Sequence, residues 1–177
     1  MKLHIVLVEP EIPANTGNIS RTCSVADMPL HLVHPLGFDI SEKQVRRAGL
    51  DYWDELDLNE YQSFDEVMQR YPDGVFFFCT TKAKHTYSDV RYTDYADKDI
   101  FLVFGKETKG LPEELLAEHY ESCIRIPMKE HMRSLNLSNS VAIGVYEILR
   151  QWGYPALQNF GQLHNYRWED AAADKTE

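Results

Sequence analysis

The chain has 177 residues, 44% of them hydrophobic, a length and composition that suit one compact domain with a sizeable core. Its 28 acidic residues against 18 Lys and Arg give a net charge of −10, which counts against attraction of nucleic acid by the overall charge of the protein, so an RNA partner would need locally concentrated positive charge. The apolar run at 3–8 has neither the length of a membrane span nor a cleavage site, so we expect a cytoplasmic protein with no membrane partner.

Short apolar segments alternate along the chain with segments of helical periodicity. We predict strands at 3–8, 30–33, 75–79, 100–104 and 123–126, and helices at 15–26, 41–48, 63–71, 112–119 and 138–152. This alternation is typical of parallel strands joined by crossover helices, so the predicted fold class is an α/β domain, here over residues 1–155. We expect 156–177 to be a mobile C-terminal extension, although Phe160, Tyr166 and Trp168 could dock on the domain.

The cysteines and histidines do not indicate a metal site. Cys23, Cys79 and Cys123 are odd in number and widely separated, so we expect reduced and mostly buried thiols. His31 and His34 fall on opposite faces of a predicted strand, and none of the seven histidines pairs with another Cys or His at a ligand spacing. We therefore predict no metal.

A first polar cluster follows the first predicted strand, in the stretch "PEIPANTGNISRTC" at 10–23. On a helix, Asn15, Asn18 and Arg21 share one face, whereas the residues at 19, 23 and 26 face the core. The shared face is either a surface for polar contacts or a simple helix start, in which Asn15 is a cap and Arg21 a solvated charge.

A second cluster is "FGKETKGLP" at 104–112. Gly105 and Gly110 have the spacing of a phosphate-binding loop, but Leu111 and Pro112 stand where that motif needs Lys and then Ser or Thr, so an ATP site is excluded. The glycines would let the backbone approach a flat ligand beside the acceptor Glu107, or they form a left-handed turn before a helix.

A third cluster lies at the entry of the last predicted helix. Five Ser and Asn side chains, at 134, 136, 138, 139 and 140, are more than helix capping requires. Along the helix, an apolar stripe at 141, 145, 148 and 152 is typical of core packing, while Asn139, Tyr146 and Arg150 face away from it. The helix is thus expected to serve two surfaces.

The three clusters together resemble the SPOUT (SpoU-TrmD) superfamily of RNA methyltransferases, from residue 3 to about residue 155. The motifs are N-x-G-N-I-x-R-x-C at 15–23, F-G-x-E-x-x-G-L-P at 104–112, and I-P-M followed by R-S-L-N-L-S-N-S-V within 126–141. The stretches "EPEIPANTGNISR", "RRAGLDYW" at 46–53 and "TTK" at 80–82 most resemble the stand-alone enzymes that 2′-O-methylate the wobble nucleotide, position 34, of leucine tRNAs.

This resemblance implies a C-terminal deep trefoil knot, S-adenosylmethionine as the methyl donor, and a tRNA substrate with cytidine or a modified uridine at position 34. It also implies a homodimer in which the first and last helices pack across the two-fold axis, so that Arg21 acts near the partner's cofactor.

The resemblance also assigns site residues. The cofactor-binding residues are Cys79, Thr80, Thr81, Gly105, Glu107, Gly110, Ile126, Met128, Ser134 and Leu135. The catalytic residues are Asn15, Arg21, Glu107, Ser134 and Asn136. From the polar helix faces and the basic clusters we add, as RNA contacts, Asn18, Arg21, Arg46, Arg47, Lys82, Arg133, Asn139 and Tyr146.

The reaction implied by the family needs two reactants in line and the removal of one proton, but no metal. Because a guanidinium is effectively always protonated, we expect Arg21 to hold the neighbouring phosphate and stabilise the developing alkoxide rather than to act as the base. The acceptor of the proton stays open.

Positive charge is concentrated locally in spite of the acidic total. Basic residues cluster at 43–47, 82–85, 106–109 and 125–133, beside the three motifs, and we predict that they form a track for RNA phosphates. Two alternatives remain: the target is another RNA, such as ribosomal RNA, or the chain is a non-catalytic RNA-binding module of the same fold.

Overall fold

A parallel sheet lies at the centre of the structure, a computed structural model that describes residues 2–40 and 56–168. Its strands are β1 Leu3–Val8, β2 Leu30–Val33, β3 Leu58–Tyr61, β4 Val75–Cys79, β5 His85–Thr86, β6 Ile100–Gly105 and β7 Cys123–Arg125. The spatial order is β3-β2-β1-β6-β4-β7-β5, and all neighbouring pairs run parallel. The predicted α/β class with a parallel sheet is confirmed.

Four α-helices accompany the sheet within the described ranges: α1 Pro13–Val25, α2 Phe64–Arg70, α3 Glu113–Glu118 and α4 Leu137–Gln151. The helix predicted at 41–48, together with Arg46 and Arg47, lies outside the described residues. None of the helices in the described part of the chain combines the length and the apolar character that crossing a bilayer requires.

The two faces of the sheet carry separate apolar clusters, as expected for parallel strands covered on both sides. On one face α1 and its C-cap bury Ile19, Cys23 and Ala26, and α4 buries its stripe, including Val141 and Ile148, in the same cluster. On the other face α2 and α3 cover a second cluster. α1 and α4 therefore lie side by side, which brings the first and third polar clusters together.

The structure differs from the sequence prediction at two strands and one helix start. β3 and β5 were not predicted, because β3 is a half-exposed strand that contains Asn59 and Glu60 and β5 has only two residues. α1 begins at Pro13, which suits a first helical position, and its N-cap Ile12 makes no side-chain cap. The interpretation of Asn15 as the helix cap is therefore wrong: Asn15 lies inside the first turn and is 96% buried, with 4% of its surface exposed.

A buried histidine pair lies near the amino ends of β1 and β2. His4 Nδ1 and His31 Nε2 are 2.9 Å apart, and the His4 ring stacks on Phe101 at 4.3 Å between ring centres. Burial lowers the pKa of His4 to about 4 and that of His31 to about 3, so both rings are neutral near pH 7.

The chain beyond α4 packs on the domain only at first. Tyr154 and Leu157 contact the cluster beneath α1 and α4. Phe160, Tyr166 and Trp168 have 81%, 76% and 54% of their surfaces exposed, so these aromatic side chains do not dock on the body of this chain.

Candidate active site

A cleft of about 790 Å³ lies at the carboxyl ends of β4, β6 and β7. Its walls are the segments that follow these three strands, at 79–82, 104–111 and 126–137, and the start of α1 contributes Ile12 and Asn15. Ligands of open α/β sheets bind in this position, and a cleft of this size accommodates a nucleoside-sized molecule.

The cleft brings most of the predicted site residues together. Its lining includes all ten of the residues predicted to bind the cofactor, namely Cys79, Thr80, Thr81, Gly105, Glu107, Gly110, Ile126, Met128, Ser134 and Leu135. It also includes four of the five predicted catalytic residues, Asn15, Glu107, Ser134 and Asn136.

Arg21 and several predicted RNA contacts lie elsewhere. Arg21 is exposed on α1 and does not line the cleft of its own chain. Of the other described RNA contacts, Lys82 and Arg133 line the cleft, whereas Asn18, Asn139 and Tyr146 are exposed outside it. The polar face predicted for α1 therefore splits into a buried residue, Asn15, and two exposed ones.

Two glycines shape the wall after β6. Gly105 has a φ of 140°, and a Cβ added there would lie 2.1 Å from the carbonyl oxygen of Val8, so β1 leaves room for no side chain. Gly110 has a φ of 75° and donates its N–H to the Lys106 carbonyl over 2.8 Å, which closes the 106–110 loop. The backbone of this loop can therefore approach a flat ligand closely.

Glu107 joins that loop to the start of α1. Its carboxylate accepts hydrogen bonds from the Glu11 N–H at 2.8 Å, the Ile12 N–H at 3.2 Å and the Asn15 amide at 3.0 Å. The negative charge thus lies against the N-terminus of a 13-residue helix, where the helix dipole favours it.

The same chain of hydrogen bonds continues to α4. The Asn136 amide donates to Asn15 Oδ1 over 2.9 Å, and Asn136 Oδ1 accepts the Ser138 N–H at 2.9 Å as the N-cap of α4. Three of the predicted catalytic residues, Glu107, Asn15 and Asn136, therefore bind one another and set the relative positions of three cleft walls.

A second carboxylate, missed by the sequence analysis, bonds in the opposite direction. Glu11 accepts the Thr108 N–H at 3.0 Å and the Thr108 hydroxyl at 2.8 and 3.0 Å, and these bonds hold the pKa of Glu11 below its usual value. Nearby, Lys106 forms an ion pair with Glu9, and this hydrogen bond raises the pKa of Lys106. The only signal in the sequence is the placement of two acidic residues just before α1.

The thiol in the wall of the cleft is not activated. Burial raises the pKa of the Cys79 thiol, so this wall of the cleft carries no thiolate. The three cysteines are unpaired, as predicted. Among residues 2–40 and 56–168, no group of three or more His, Cys, Asp or Glu side chains is placed to hold a metal ion.

Basic side chains line the cleft at 82, 106, 109 and 133. Lys82 forms an ion pair with Glu113, and Lys84 lies 5.4 Å from the ring centre of Tyr120. Arg133 is exposed and lines the cleft entrance. The cleft border therefore carries positive charge, part of which is paired with Glu113.

Comparisons with known proteins point to RNA methylation. The SpoU rRNA methylase family matches residues 2–146. The tRNA (cytidine(34)-2′-O)-methyltransferase of Aeromonas hydrophila is 44% identical over 153 residues, which are 86% of this chain and 96% of that protein.

Two solved structures are similar over most of the chain. One, which concerns the 2-OH methylation of C/U34 on tRNA, is 39% identical, with a TM-score of 0.78 over 86% of this chain and 97% of its own. The other, an AdoMet-bound rRNA methyltransferase from Sinorhizobium meliloti, is 26% identical, with a TM-score of 0.70 over 84% of this chain and 56% of its own. This chain belongs to the SpoU rRNA methylase family, which confirms its resemblance to the SPOUT RNA methyltransferases.

Proposed function

We propose that the protein transfers a methyl group from S-adenosylmethionine to the ribose 2′-hydroxyl of the wobble nucleotide of tRNA, cytidine or a modified uridine at position 34, with leucine tRNAs as the substrates. The observation that carries the proposal is the cleft itself, because the ten residues assigned to cofactor binding all line it. The choice of nucleotide rests on the Aeromonas hydrophila relative, which is named for cytidine 34, and on the solved structure that concerns C/U34 of tRNA.

The cleft fits the proposed methyl donor. Apolar side chains such as Ile126, Met128 and Leu135 offer surface for an adenine ring, and the backbone of the glycine-bounded 106–110 loop offers hydrogen bonds to polar edges. When bound, S-adenosylmethionine supplies an electrophilic methyl group on a positively charged sulfur. Neighbouring acceptors such as the Glu107 carboxylate suit a cationic ligand.

The catalytic task of the chain is to orient the ribose and to manage one proton. With the methyl donor bound, the cleft residues would hold the ribose 2′-oxygen in line with the methyl carbon; S-adenosylhomocysteine would be the leaving group, and the hydroxyl proton would pass to a base or to water. The Asn15, Glu107 and Asn136 network positions the walls, and the exposed hydroxyl of Ser134 at the cleft contacts the ribose or its cofactor. Arg21 binds the adjoining phosphate and stabilises the alkoxide.

The position of Arg21 supports a homodimer. Because Arg21 does not line the cleft of its own chain, we propose that it acts at the cleft of a second copy. α1 and α4 are adjacent and expose Ile12, Val25 and Tyr146, which have 43%, 57% and 45% of their surfaces accessible. A two-fold interface along these helices would cover this apolar surface.

We propose the trefoil knot for the segment between β7 and α4. β7 lies near one edge of the sheet, between β4 and β5, whereas α4 packs beside α1 on the face of the central strands. The 126–136 segment must therefore cross the carboxyl ends of β4 and β6 to reach α4, a path compatible with threading through a loop.

A ribosomal RNA target is the second candidate. The family is described as rRNA methylases, and the AdoMet-bound structural relative acts on rRNA. The basic border of the cleft would serve either RNA, because phosphate contacts carry no sequence information.

Nucleoside mass spectrometry tests the proposal. Purified protein is incubated with S-adenosylmethionine and, separately, with tRNA and rRNA from cells that lack the enzyme, with Arg21→Ala and a heat-treated sample in parallel. We expect new 2′-O-methylated cytidine or uridine at position 34 of leucine tRNAs, absent with Arg21→Ala. Methylation of rRNA alone would favour the second candidate, and no product from either RNA would contradict the methyltransferase proposal.

A further inference from the structure

The loop at 106–110 and the segment before α1 are joined by reciprocal hydrogen bonds, because each carries a carboxylate that accepts donors of the other. Glu107 in the loop accepts the Glu11 and Ile12 N–H groups, while Glu11 accepts the N–H and the hydroxyl of Thr108. We call Glu11, Glu107 and Thr108 the carboxylate clamp. The two carboxylates point in opposite directions across the gap between the loop and the start of α1. The clamp therefore holds the loop at two adjacent residues, Glu107 and Thr108.

We infer that Glu11 is a positioning residue for methyl transfer, which fixes the cofactor-facing loop to the helix that carries Arg21. The inference rests on the proposed function. Glu11 does not line the cleft, so it acts through Thr108 and not by contact with a ligand. Every residue from 106 to 110 lines the cleft, so displacement of this loop changes the shape of the site directly.

The tip of the loop depends on Glu11 because the loop has little internal support. Its one backbone hydrogen bond between its ends joins Gly110 to Lys106, and the Thr108 N–H is directed to Glu11 instead. Both carboxylate oxygens of Glu11 are used by Thr108, and these bonds favour the ionised carboxylate. Charge-assisted hydrogen bonds of this kind are shorter and stronger than neutral ones.

The clamp also links the two halves of the proposed reaction. On one side the loop forms the wall of the cofactor cleft, and on the other α1 carries Arg21, the proposed phosphate contact. Because Glu11 lies two residues before Pro13, the first residue of α1, it holds the helix start and the loop in one arrangement. Loss of the Glu11 carboxylate would loosen the loop at Thr108 while leaving Glu107 bonded to Asn15 and to the two backbone N–H groups.

The test uses the full-length protein and two readouts, S-adenosylmethionine affinity by calorimetry and steady-state methylation of tRNA. We expect Glu11→Ala to weaken cofactor binding about tenfold and to lower kcat at saturating cofactor, with the KM for tRNA within twofold of wild type. Glu11→Gln, which keeps one acceptor oxygen, should recover part of the loss. Glu66→Ala is the matched control, since Glu66 also accepts a backbone N–H, from Gln62 at 2.8 Å, outside the cleft.

Thr108 provides a second, milder pair of variants in case Glu11→Ala unfolds. Thr108→Val removes the hydroxyl donor and should weaken cofactor binding, whereas Thr108→Ser keeps the donor and should lose clearly less affinity than Thr108→Val. In the Glu11→Ala background, Thr108→Val should add little, because the bond is already lost.

Three outcomes would overturn the inference: cofactor binding by Glu11→Ala and Thr108→Val equal to wild type, equal losses for Thr108→Ser and Thr108→Val, or fully additive losses in the double variant. Additive losses would mean that Thr108 contacts the cofactor independently of Glu11. If the wild-type protein binds S-adenosylmethionine but methylates no tRNA, the proposed function fails while the binding series still tests the clamp. If the wild type does not bind the cofactor, both fail.

Discussion

Asn15 and Asn136 lie 121 positions apart in the chain, yet the Asn136 amide donates a hydrogen bond to Asn15 Oδ1 over 2.9 Å. This bond connects the first turn of α1 to the N-cap of α4. Because Glu107 binds the amide of the same Asn15, one hydrogen-bonded path joins the segments after β1, β6 and β7. The cleft is thus held by side chains that also face it.

Removal of Asn136 should cost stability and activity by different routes. In Asn136→Ala, α4 loses its cap and Asn15 Oδ1 loses a donor, so we expect about 1–2 kcal/mol less free energy of unfolding in urea denaturation. Asn136→Asp keeps a capping oxygen but cannot donate to Asn15, so it should be closer to wild type in stability and still impaired in methylation. Equal stability of Asn136→Ala and wild type would contradict this account.

Replacement of glycine by alanine should lower the stability of the protein far more at position 105 than at position 153. Gly105 and Gly153 both have positive φ, 140° and 74°, but only at Gly105 would a Cβ clash, 2.1 Å from the Val8 carbonyl oxygen. We expect Gly153→Ala to lose about 1 kcal/mol through backbone strain and Gly105→Ala to lose several. Thermal unfolding compares them directly, and similar melting temperatures would mean that β1 and β6 separate easily at this point.

The sequence predicted the sheet well where strands are apolar and poorly where they are not. β1, β2 and β4 have the predicted bounds, because short apolar runs between turn residues identify buried strands. β3 escaped prediction because Asn59 and Glu60 interrupt its apolar pattern. The polar motifs likewise predicted which residues line the cleft.

The partners inside the site could not be predicted. Nothing in the sequence links Glu11 to Thr108, 97 positions away, because a carboxylate and a hydroxyl pair through geometry that the fold supplies. Nor does periodicity distinguish the buried Asn15 from the exposed Asn18 on the same helix. The packing of α1 against neighbouring loops, and not its own sequence pattern, decides which of the two becomes buried.

Acid should destabilise the protein through the His4 and His31 pair. The folded pKa values of about 4 and about 3 lie below the ordinary value of 6.5, so the unfolded chain binds more protons between these limits. The stabilisation from two neutral rings is complete above pH 6.5 and is lost as the pH falls towards 4 and 3. Because of this pair, the free energy of unfolding should be about 3 to 4 kcal/mol lower at pH 5 than at pH 8.

Urea unfolding at several pH values measures this effect. His4→Asn/His31→Asn should flatten the slope of unfolding free energy between pH 5 and 6.5, whereas His164→Gln, in the exposed C-terminal segment, should leave it unchanged. An equal slope in the double variant and wild type would assign the acid sensitivity to other groups.

Substitution of Arg21 by Lys tests how the guanidinium acts. If Arg21 binds a phosphate through two parallel N–H groups, Arg21→Lys keeps the charge but loses this geometry, and turnover should fall at least about tenfold with cofactor affinity unchanged. Arg91→Lys, at a side chain that is 81% exposed, is the control and should retain wild-type rates. Near-normal turnover of Arg21→Lys would show that a point charge suffices.

Salt should weaken tRNA binding steeply if the cleft border contacts phosphates. The logarithm of the binding constant should fall linearly with the logarithm of salt concentration, and Arg133→Ala should reduce the slope by roughly 0.7 to 1, the share of one phosphate contact. Lys82→Ala should have a smaller effect, because Lys82 is already paired with Glu113. Lys98→Ala is the matched control: Lys98 is exposed two residues before β6 begins, at the edge of the sheet opposite to the cleft. Filter binding measures these slopes between 50 and 300 mM salt, a range of about sixfold that spans the expected loss of tRNA affinity. A flat response of the wild-type protein would exclude a phosphate track along this border.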